Sequence, residues 1–413
     1  MNQLEFTYLW KVAKKIYSFW TNEFVLTAFA YNILYCAKHK DYCMKWVSLR
    51  SLEDYFVKHC ELRNIYSGER AFVYQKQYWD DTEKIECEYD IPNVFLGEVS
   101  NISIFGGSNF IMCNGMLLLP NYDQYTSKTS KWTNRVLKCE NEGKGILRYK
   151  KNCRKIDKGI LLCGAGSDNY YHFIVEVLPR LSIIESIGEY SDYPIIVDSD
   201  IKKISTLKEA LDRVNISEHE VVWIDCDECI SVKHLVYISS IAWIPINMKH
   251  GLWPRDYQFA MCNKALWAFR NSVKTNYKSN YEKIYISRRK VKNERLVNDA
   301  DAEQICHQRG FKTIYPEELS FDKQVAIFHN AKLIVACAGA ALTNCIFCNS
   351  GTKVLVIGAK EHESPLWSSL LTNMGLLVRF VDARIINKAS FAAEDRYIVD
   401  VDELEKAIDM FER

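Results

Sequence analysis

His172, Glu176 and Arg180 recur every four residues just after Gly164 and Gly166, a spacing that puts all three on one face of a helix. An imidazole with a carboxylate beside it makes a general base and the partner that orients it. The same spacing also fits an ordinary ion-paired stripe on a protein surface. Asp168 or Asn169 can cap the helix through a side-chain oxygen, and Phe173, Val177, Leu178, Leu181 and Ile184 supply an apolar stripe beside it. A second cluster, Tyr285-Ile286-Ser287-Arg288-Arg289-Lys290 followed by Arg295 and Asn298, ends an apolar run in a burst of cations. Guanidinium groups placed there can grip a diphosphate through paired, charge-assisted hydrogen bonds, or else belong to a solvated basic loop. A third, Ala338-Gly339-Ala340-Ala341-Leu342-Thr343-Asn344, sets small residues before a helix. Small side chains let the backbone approach a ligand, and a helix N-terminus offers free N–H groups to phosphate. The stretch has neither a phosphate-loop lysine nor a G-x-G-x-x-G. Asp225 with Asp227, and Asp198 with Asp200, follow apolar runs as metal-binding D-x-D pairs do, and as turn residues do.

The elements that must carry these residues follow from the hydrophobic pattern. Residues 1–60 have few breakers and apolar positions all round, which predicts helix. Between residues 70 and 160 the texture becomes short β-like runs. Val94-Phe95-Leu96, Ile102-Ser103-Ile104-Phe105 before Gly106-Gly107, and Phe110-Ile111-Met112 before Asn114-Gly115 predict hairpins. After Gly159 strands at 160–163, 194–197, 221–224 and 235–238 alternate with helical segments, the first of them at 170–187. Residues 247–257, with Gly251 and Pro254, read as the exit from a first domain, and a helix at 259–273 leads to a second alternation. There strands at 283–287, 333–336 and 353–357 alternate with helices at 299–309 and 321–330. That rhythm predicts parallel sheets with crossover helices, whose ligands bind beyond the carboxyl ends of the strands.

A chain of 413 residues is long enough for two domains, and 48% hydrophobic with 25% charged residues is ordinary for a globular protein. Lys and Arg total 53 against 52 Asp and Glu, a formal charge of +1, which gives no reason to expect a nucleic-acid partner. The 15 cysteines are odd in number and scattered through apolar runs, which reads as reduced core cysteine in a cytoplasmic protein. Two C-x-x-C pairs, Cys226/Cys229 and Cys345/Cys348, would bind zinc only if they converged in space. The uncharged stretch at 24–37 is shorter than the roughly 20 residues of a spanning helix, and no secretory leader is expected. Lys11, Lys14 and Lys15 beside Tyr8, Trp10, Tyr17 and Trp20 suit either a packed helix or, within residues 1–40, peripheral contact with an anionic membrane face.

Taken in order, the three constellations resemble glycosyltransferase family 61, which includes bacterial capsule-polysaccharide enzymes and animal and plant relatives. The resemblance lies in Asn169-Tyr170-Tyr171-His172 through Leu178-Pro179-Arg180, in Tyr285-Ile286-Ser287-Arg288-Arg289, and in Gly310-Phe311 through Phe321 to Gln324. It continues through Ala331-Lys332-Leu333-Ile334-Val335 and Gly339-Ala340-Ala341-Leu342-Thr343-Asn344. It implies an α/β, GT-B-like fold in which two Rossmann-like domains face a cleft, to which the hydrophobic pattern adds an N-terminal helical segment and β-hairpins. The expected division is a helical segment at 1–65, a β-rich and Rossmann-like acceptor-side domain at 66–257, and a nucleotide-sugar-binding domain at 258–413. The implied reaction is inverting transfer of a sugar from a nucleotide-sugar donor to a glycan acceptor, as in surface or capsular polysaccharide synthesis, with no metal or other cofactor. His172 is then the first candidate for the base and Glu176 the second, with Arg180 holding the carboxylate or the acceptor. Arg288, Arg295 and the amides from Gly339 and Ala340 through Thr343 to Asn344 are assigned to the donor diphosphate, with Asn298 and Gln324 as weaker donor-side candidates. Many relatives resemble H-G-A-G-L-T-N at the third motif, where this chain has Ala338 for the His and Ala341 for the second Gly. A noncatalytic carbohydrate- or nucleotide-binding relative, and a metal-dependent GT-A-type transferase using Asp225 and Asp227, are the alternative readings.

Overall fold

Every residue of Leu333–Cys337 is buried, as strand residues are when helices cover both faces of a sheet. The surrounding architecture is seen in a computed structural model that describes residues 25–83, 86–120, 136–141, 143–242, 259–291, 294–362, 364–389 and 394–412. The N-terminal aromatic and basic stretch and the expected exit at 247–257 lie outside the described residues.

In chain order the first strands are β1 (Tyr42–Ser51), β2 (Leu62–Tyr66), β3 (Glu69–Tyr74), β4 (Glu86–Ile91), β5 (Val94–Phe105), β6 (Ile111–Cys113) and β7 (Met116–Leu119). They continue with β8 (Leu137–Asn141), β9 (Lys144–Lys150), β10 (Cys153–Leu161), β11 (Ile195–Asp198), β12 (Val221–Ile224) and β13 (Cys229–Ile238). These form an 11-stranded mixed sheet, β12-β11-β10-β13-β5-β6-β7-β1-β9-β8 with β2 on β5, while β3 and β4 make a separate ribbon. The pairs from β12 to β13 are parallel and those from β13 to β7 antiparallel. The later strands are β14 (Lys283–Ile286), β15 (Lys312–Ile314), β16 (Leu333–Cys337), β17 (Lys353–Gly358), β18 (Leu377–Asn387) and β19 (Arg396–Val399). Their order is β15-β14-β16-β17-β18-β19, parallel throughout except for β19.

Alternation along the second sheet divides its core. Ile284, Ile286, Ile334, Ala336, Val354 and Val356 face a cluster that also holds Ile160, Ile195, Leu178, Phe269 and Phe347. Tyr285, Val335, Cys337, Leu355 and Ile357 face a second cluster, closed by Leu404, Ile408 and Phe411 of the helix Val401–Glu412. The first cluster runs continuously between the two sheets, so the helices between them are buried from both sides. Residues 77–79 also cross over to the second sheet, where Phe380 donates to Gln77 O and Trp79 donates to Phe380 O.

The structure differs from the pattern at several places. Only Val25–Lys38 and Leu52–His59 of the first part are helical among the described residues; Tyr42–Ser51 is a strand. Val47, Leu49 and Ser51 are buried in alternation, and pairing with β7 and β9 overrides a local pattern that had no breakers. The two runs at 94–96 and 102–105 are one strand, β5. The Asn114-Gly115 hairpin is present with positive φ at both residues, 50° and 78°, the backbone that a two-residue turn requires. Cys153 and Cys229, directly registered neighbours on β10 and β13, form a disulfide, so the expectation of wholly reduced cysteine fails there. No helix among the described residues is long and apolar enough to cross a membrane.

One buried aspartate organises the turn after β10. Asp198, 2% exposed, accepts from Gly107 N at 2.6 Å, Gly164 N at 3.1 Å and Ser167 Oγ at 2.6 Å. Asp198→Ala strands all three donors, and each buried unsatisfied group costs about 1–3 kcal/mol. We expect Asp198→Ala to lose at least about 2 kcal/mol in urea unfolding, whereas a Ser167→Ala control loses about 1 kcal/mol.

Candidate functional site

Asn169 caps the helix that follows this turn, its side chain accepting from Tyr171 N at 2.9 Å. The helix is α at Tyr170–His172, π at Phe173–Val177 and α again at Leu178–Ile187. The cause is local. Pro179 has no N–H to give to the preceding turn, and the ladder widens there so that Leu178 N donates to Phe173 O. A π turn inside an α-helix is frequent at functional sites.

His172 Nδ1 and Glu176 Oε1 are 2.9 Å apart, and both side chains keep about a fifth of their surface exposed, 19% and 22%. A neutral imidazole that donates Nδ1–H to the carboxylate carries its lone pair on Nε2. Gly166 lies against that nitrogen. Its φ is +78°, and a Cβ there would stand 3.1 Å from His172 Cδ2 and 3.7 Å from Nε2. The missing side chain leaves space beside the basic nitrogen. Burial works against the imidazolium of His172, but the charge and hydrogen bond of Glu176, with Asp168 behind them, outweigh it and raise the pKa.

Arg180 has a different task from the one its spacing suggested. It is 4% exposed; Nε donates to the Glu176 carbonyl at 2.8 Å and an amino group to Cys163 O at 3.0 Å. It ties the backbone of the π turn to the end of the sheet, so it positions Glu176 rather than gripping its carboxylate.

In the second half, Asp299 repeats the role of Asp198. It is fully buried and accepts from Tyr285 OH, from Ser287 Oγ at 2.5 Å and from Arg288 N at 3.1 Å. This fixes the turn after β14 and sends the Arg288 side chain to Gly339. A Cβ on Gly339 would meet the Arg288 guanidinium at 2.3 Å, so the glycine makes room for the arginine. Arg295 donates to Ala338 O at 2.8 Å. Arg288, Arg295, Gly339 and Ala340 are thereby gathered at the N-terminus of the helix Ala340–Phe347, which is a 3₁₀ helix rather than an α-helix.

Three polar donor candidates are engaged within the protein. Asn344 accepts from Tyr170 OH at 2.5 Å and donates to Gln324 Oε1 at 2.7 Å. Gln324 in turn donates to Pro316 O and Leu319 O. Asn298 clips β19 through both ends of its amide, to Val399 O at 2.9 Å and from Val399 N at 3.1 Å. Thr343 is fully buried. The chain Tyr170–Asn344–Gln324 joins the helix that carries His172 to the 3₁₀ helix after Gly339; the sequence pattern did not reveal it, because Tyr170 and Asn344 are 174 positions apart. Asp299 was equally missed, its only signal being an acidic first residue of a helix.

The acidic pair after β12 sits in a turn. Asp225 accepts from Ser199 Oγ at 2.5 Å and Asp227 from Tyr42 OH at 3.4 Å, and Asp227 has φ +65°. The two C-x-x-C pairs do not form a four-thiolate site, since Cys229 is in the disulfide. Cys345 and Cys348 are buried thiols.

The family model described as Glycosyltransferase 61 matches residues 170–355, from Tyr170 at the start of the helix that carries His172 to Leu355 on β17. That is the family the motifs resemble. A search of curated proteins finds no match to the chain.

Because folding raises the His172 pKa above its ordinary value of about 6.5, the folded state binds that proton more tightly than the unfolded chain. The resulting stability is complete below about pH 6.5 and is lost as pH rises through the folded pKa. We expect the melting-temperature advantage of wild type over His172→Gln to shrink across that interval in calorimetric scans. A difference independent of pH counts against a charged His172–Glu176 pair.

Proposed function

From the premise that residues 170–355 form a glycosyltransferase 61 region, we propose that this protein is an inverting, sugar-nucleotide-dependent glycosyltransferase acting on a glycan acceptor, such as one used in surface or capsular polysaccharide synthesis. The observation that carries the reading is the 2.9 Å contact of His172 with Glu176, on a helix bonded through Tyr170 to the segment where Arg288 and Arg295 converge.

In this reading His172 Nε2 takes the proton of the acceptor hydroxyl as the oxygen attacks the anomeric carbon from one side. Glu176 stabilises the imidazolium that forms. The bond from the anomeric carbon to the diphosphate oxygen breaks on the other side, and the electron pair leaves with the nucleoside diphosphate. Arg288, Arg295 and the amides beginning at Gly339 face the charge that develops there, which is where fixed donors accelerate a reaction most. The parallel sheet β15-β14-β16-β17-β18, with its turns carrying these groups, supports a GT-B-like donor half. No protein-bound metal has a place in this scheme; a GT-A-type reading would need Asp225 and Asp227, which bond to Ser199 and Tyr42.

Three outcomes test the proposal. His172→Ala should lower turnover by about 10²–10⁴ with donor affinity nearly unchanged, and in wild type the acid limb of kcat/KM against pH should fall above about 6.5, because only neutral His172 accepts a proton. If Glu176→Gln instead produces the larger loss, the carboxylate is the base. Activity, assayed against a panel of nucleotide sugars, should persist in excess EDTA; loss on chelation with rescue by manganese returns the reaction to Asp225 and Asp227.

A further inference from the structure

Beyond β17 the chain turns through Ala359 to His362, and His362 meets a buried carboxylate that no part of the scheme above uses. His362 Nε2 lies 2.9 Å from Asp395 Oδ2. Asp395 is fully buried and His362 is 9% exposed. The other carboxylate oxygen of Asp395 accepts from Ala389 N at 2.6 Å, which fixes the acid and through it the ring. The turn itself is held from outside by Lys76, whose ammonium donates to Ala359 O at 2.9 Å and to His362 O.

This pair stands at the same sheet end as the arginines. The Tyr397 ring is the common floor, with its centroid 6.3 Å from the His362 ring and 5.6 Å from the Arg295 guanidinium carbon. Its hydroxyl lies 2.8 Å from Cys337 Sγ at the end of β16, one residue before the Ala338 carbonyl that Arg295 holds. His362 thus shares the Tyr397 ring with Arg295.

We propose that His362, oriented by Asp395, is a further donor-site residue that contacts the diphosphate of the nucleotide sugar and takes up a proton when it binds. The proposal rests on the donor-site reading given above. A neutral His362 that donates Nε2–H to Asp395 presents Nδ1 without a proton. The groups that face it are Asp395, Arg295, Lys76 and Tyr397. Burial, and then the charges of Arg295 and Lys76, hold its pKa below the ordinary value although Asp395 pulls the other way. A diphosphate placed against Arg295 reverses the local charge balance and favours the imidazolium. Protonated Nδ1 then donates to a phosphate oxygen, and this adds a charge-assisted hydrogen bond as the leaving group gains charge.

Calorimetric titration of UDP, GDP, CDP and ADP into the full chain, at about pH 7.5 in two buffers of different ionisation enthalpy, measures both affinity and protons taken up. For whichever nucleotide binds, wild type should take up more protons than His362→Gln does, and affinity should fall about tenfold or more in the variant, the size of one charge-assisted hydrogen bond. Asp395→Asn should reduce the uptake as well. Equal affinity and equal proton uptake in wild type and a folded His362→Gln overturn the proposal and leave the donor-site reading standing. If that variant does not fold, the wild-type count decides alone, and uptake no greater than the free nucleotide's own titration overturns it. Failure of wild type to bind any of the four, alongside failure to bind their sugar conjugates, overturns the donor-site reading and the proposal with it.

Discussion

The hydrogen bond from Tyr170 to Asn344, at 2.5 Å, is the joint on which the arrangement of the site depends. It crosses between the two halves of the chain, from the first turn of the helix that carries His172 to the 3₁₀ segment that follows Gly339. A buried polar chain is stable only if each member is satisfied. Here Asn344 donates onward to Gln324, and Gln324 to two carbonyls at 316 and 319. The hydrophobic cluster shared by the two sheets supplies the cohesion. It is non-directional, and the polar chain is what sets the relative register of the two helices.

Each half then presents its chemistry in the same way. A strand ends, and a buried aspartate gathers the amides and hydroxyls of the turn. The side chains beyond that turn are held in one direction. Asp198 does this for Gly164 and Ser167, and Asp299 for Ser287 and Arg288. A carboxylate can accept several hydrogen bonds at once, so one residue replaces the several partners that irregular backbone would otherwise need. At the two glycines that matter most, a Cβ on Gly166 would crowd His172 at 3.1 Å and one on Gly339 would strike Arg288 at 2.3 Å. Gly166 leaves space beside His172 Nε2, whereas Gly339 gives its space to the Arg288 guanidinium.

The helix itself shows how a local defect becomes useful. Pro179 interrupts the ladder, the backbone responds with a π turn, and the buried Arg180 donates to the carbonyl of Glu176 in that turn. Arg180 thus contributes through backbone geometry, and burial depresses its pKa without taking it out of the charged state.

The sequence by itself determined the alternating α/β character of the second half, the helix that bears His172 and Glu176, and the strand ends that carry Arg288 and Gly339. Those features follow from local patterns: apolar runs of strand length, a four-residue spacing, small residues before a helix. Tertiary structure decided the rest. Tyr42–Ser51 became a strand because neighbours paired with it, and the runs at 94–96 and 102–105 merged because β13 continues beside both. Asn298, Gln324 and Asn344 became internal clips because their partners come from remote segments, and Arg180 met carbonyls where its spacing pointed to a carboxylate. His362 and Asp395, 33 positions apart, share no helical or strand period at all. A hydrogen bond between residues far apart in the chain leaves no period in the sequence, so only the packed fold can reveal which polar groups are held in place and which remain free to act.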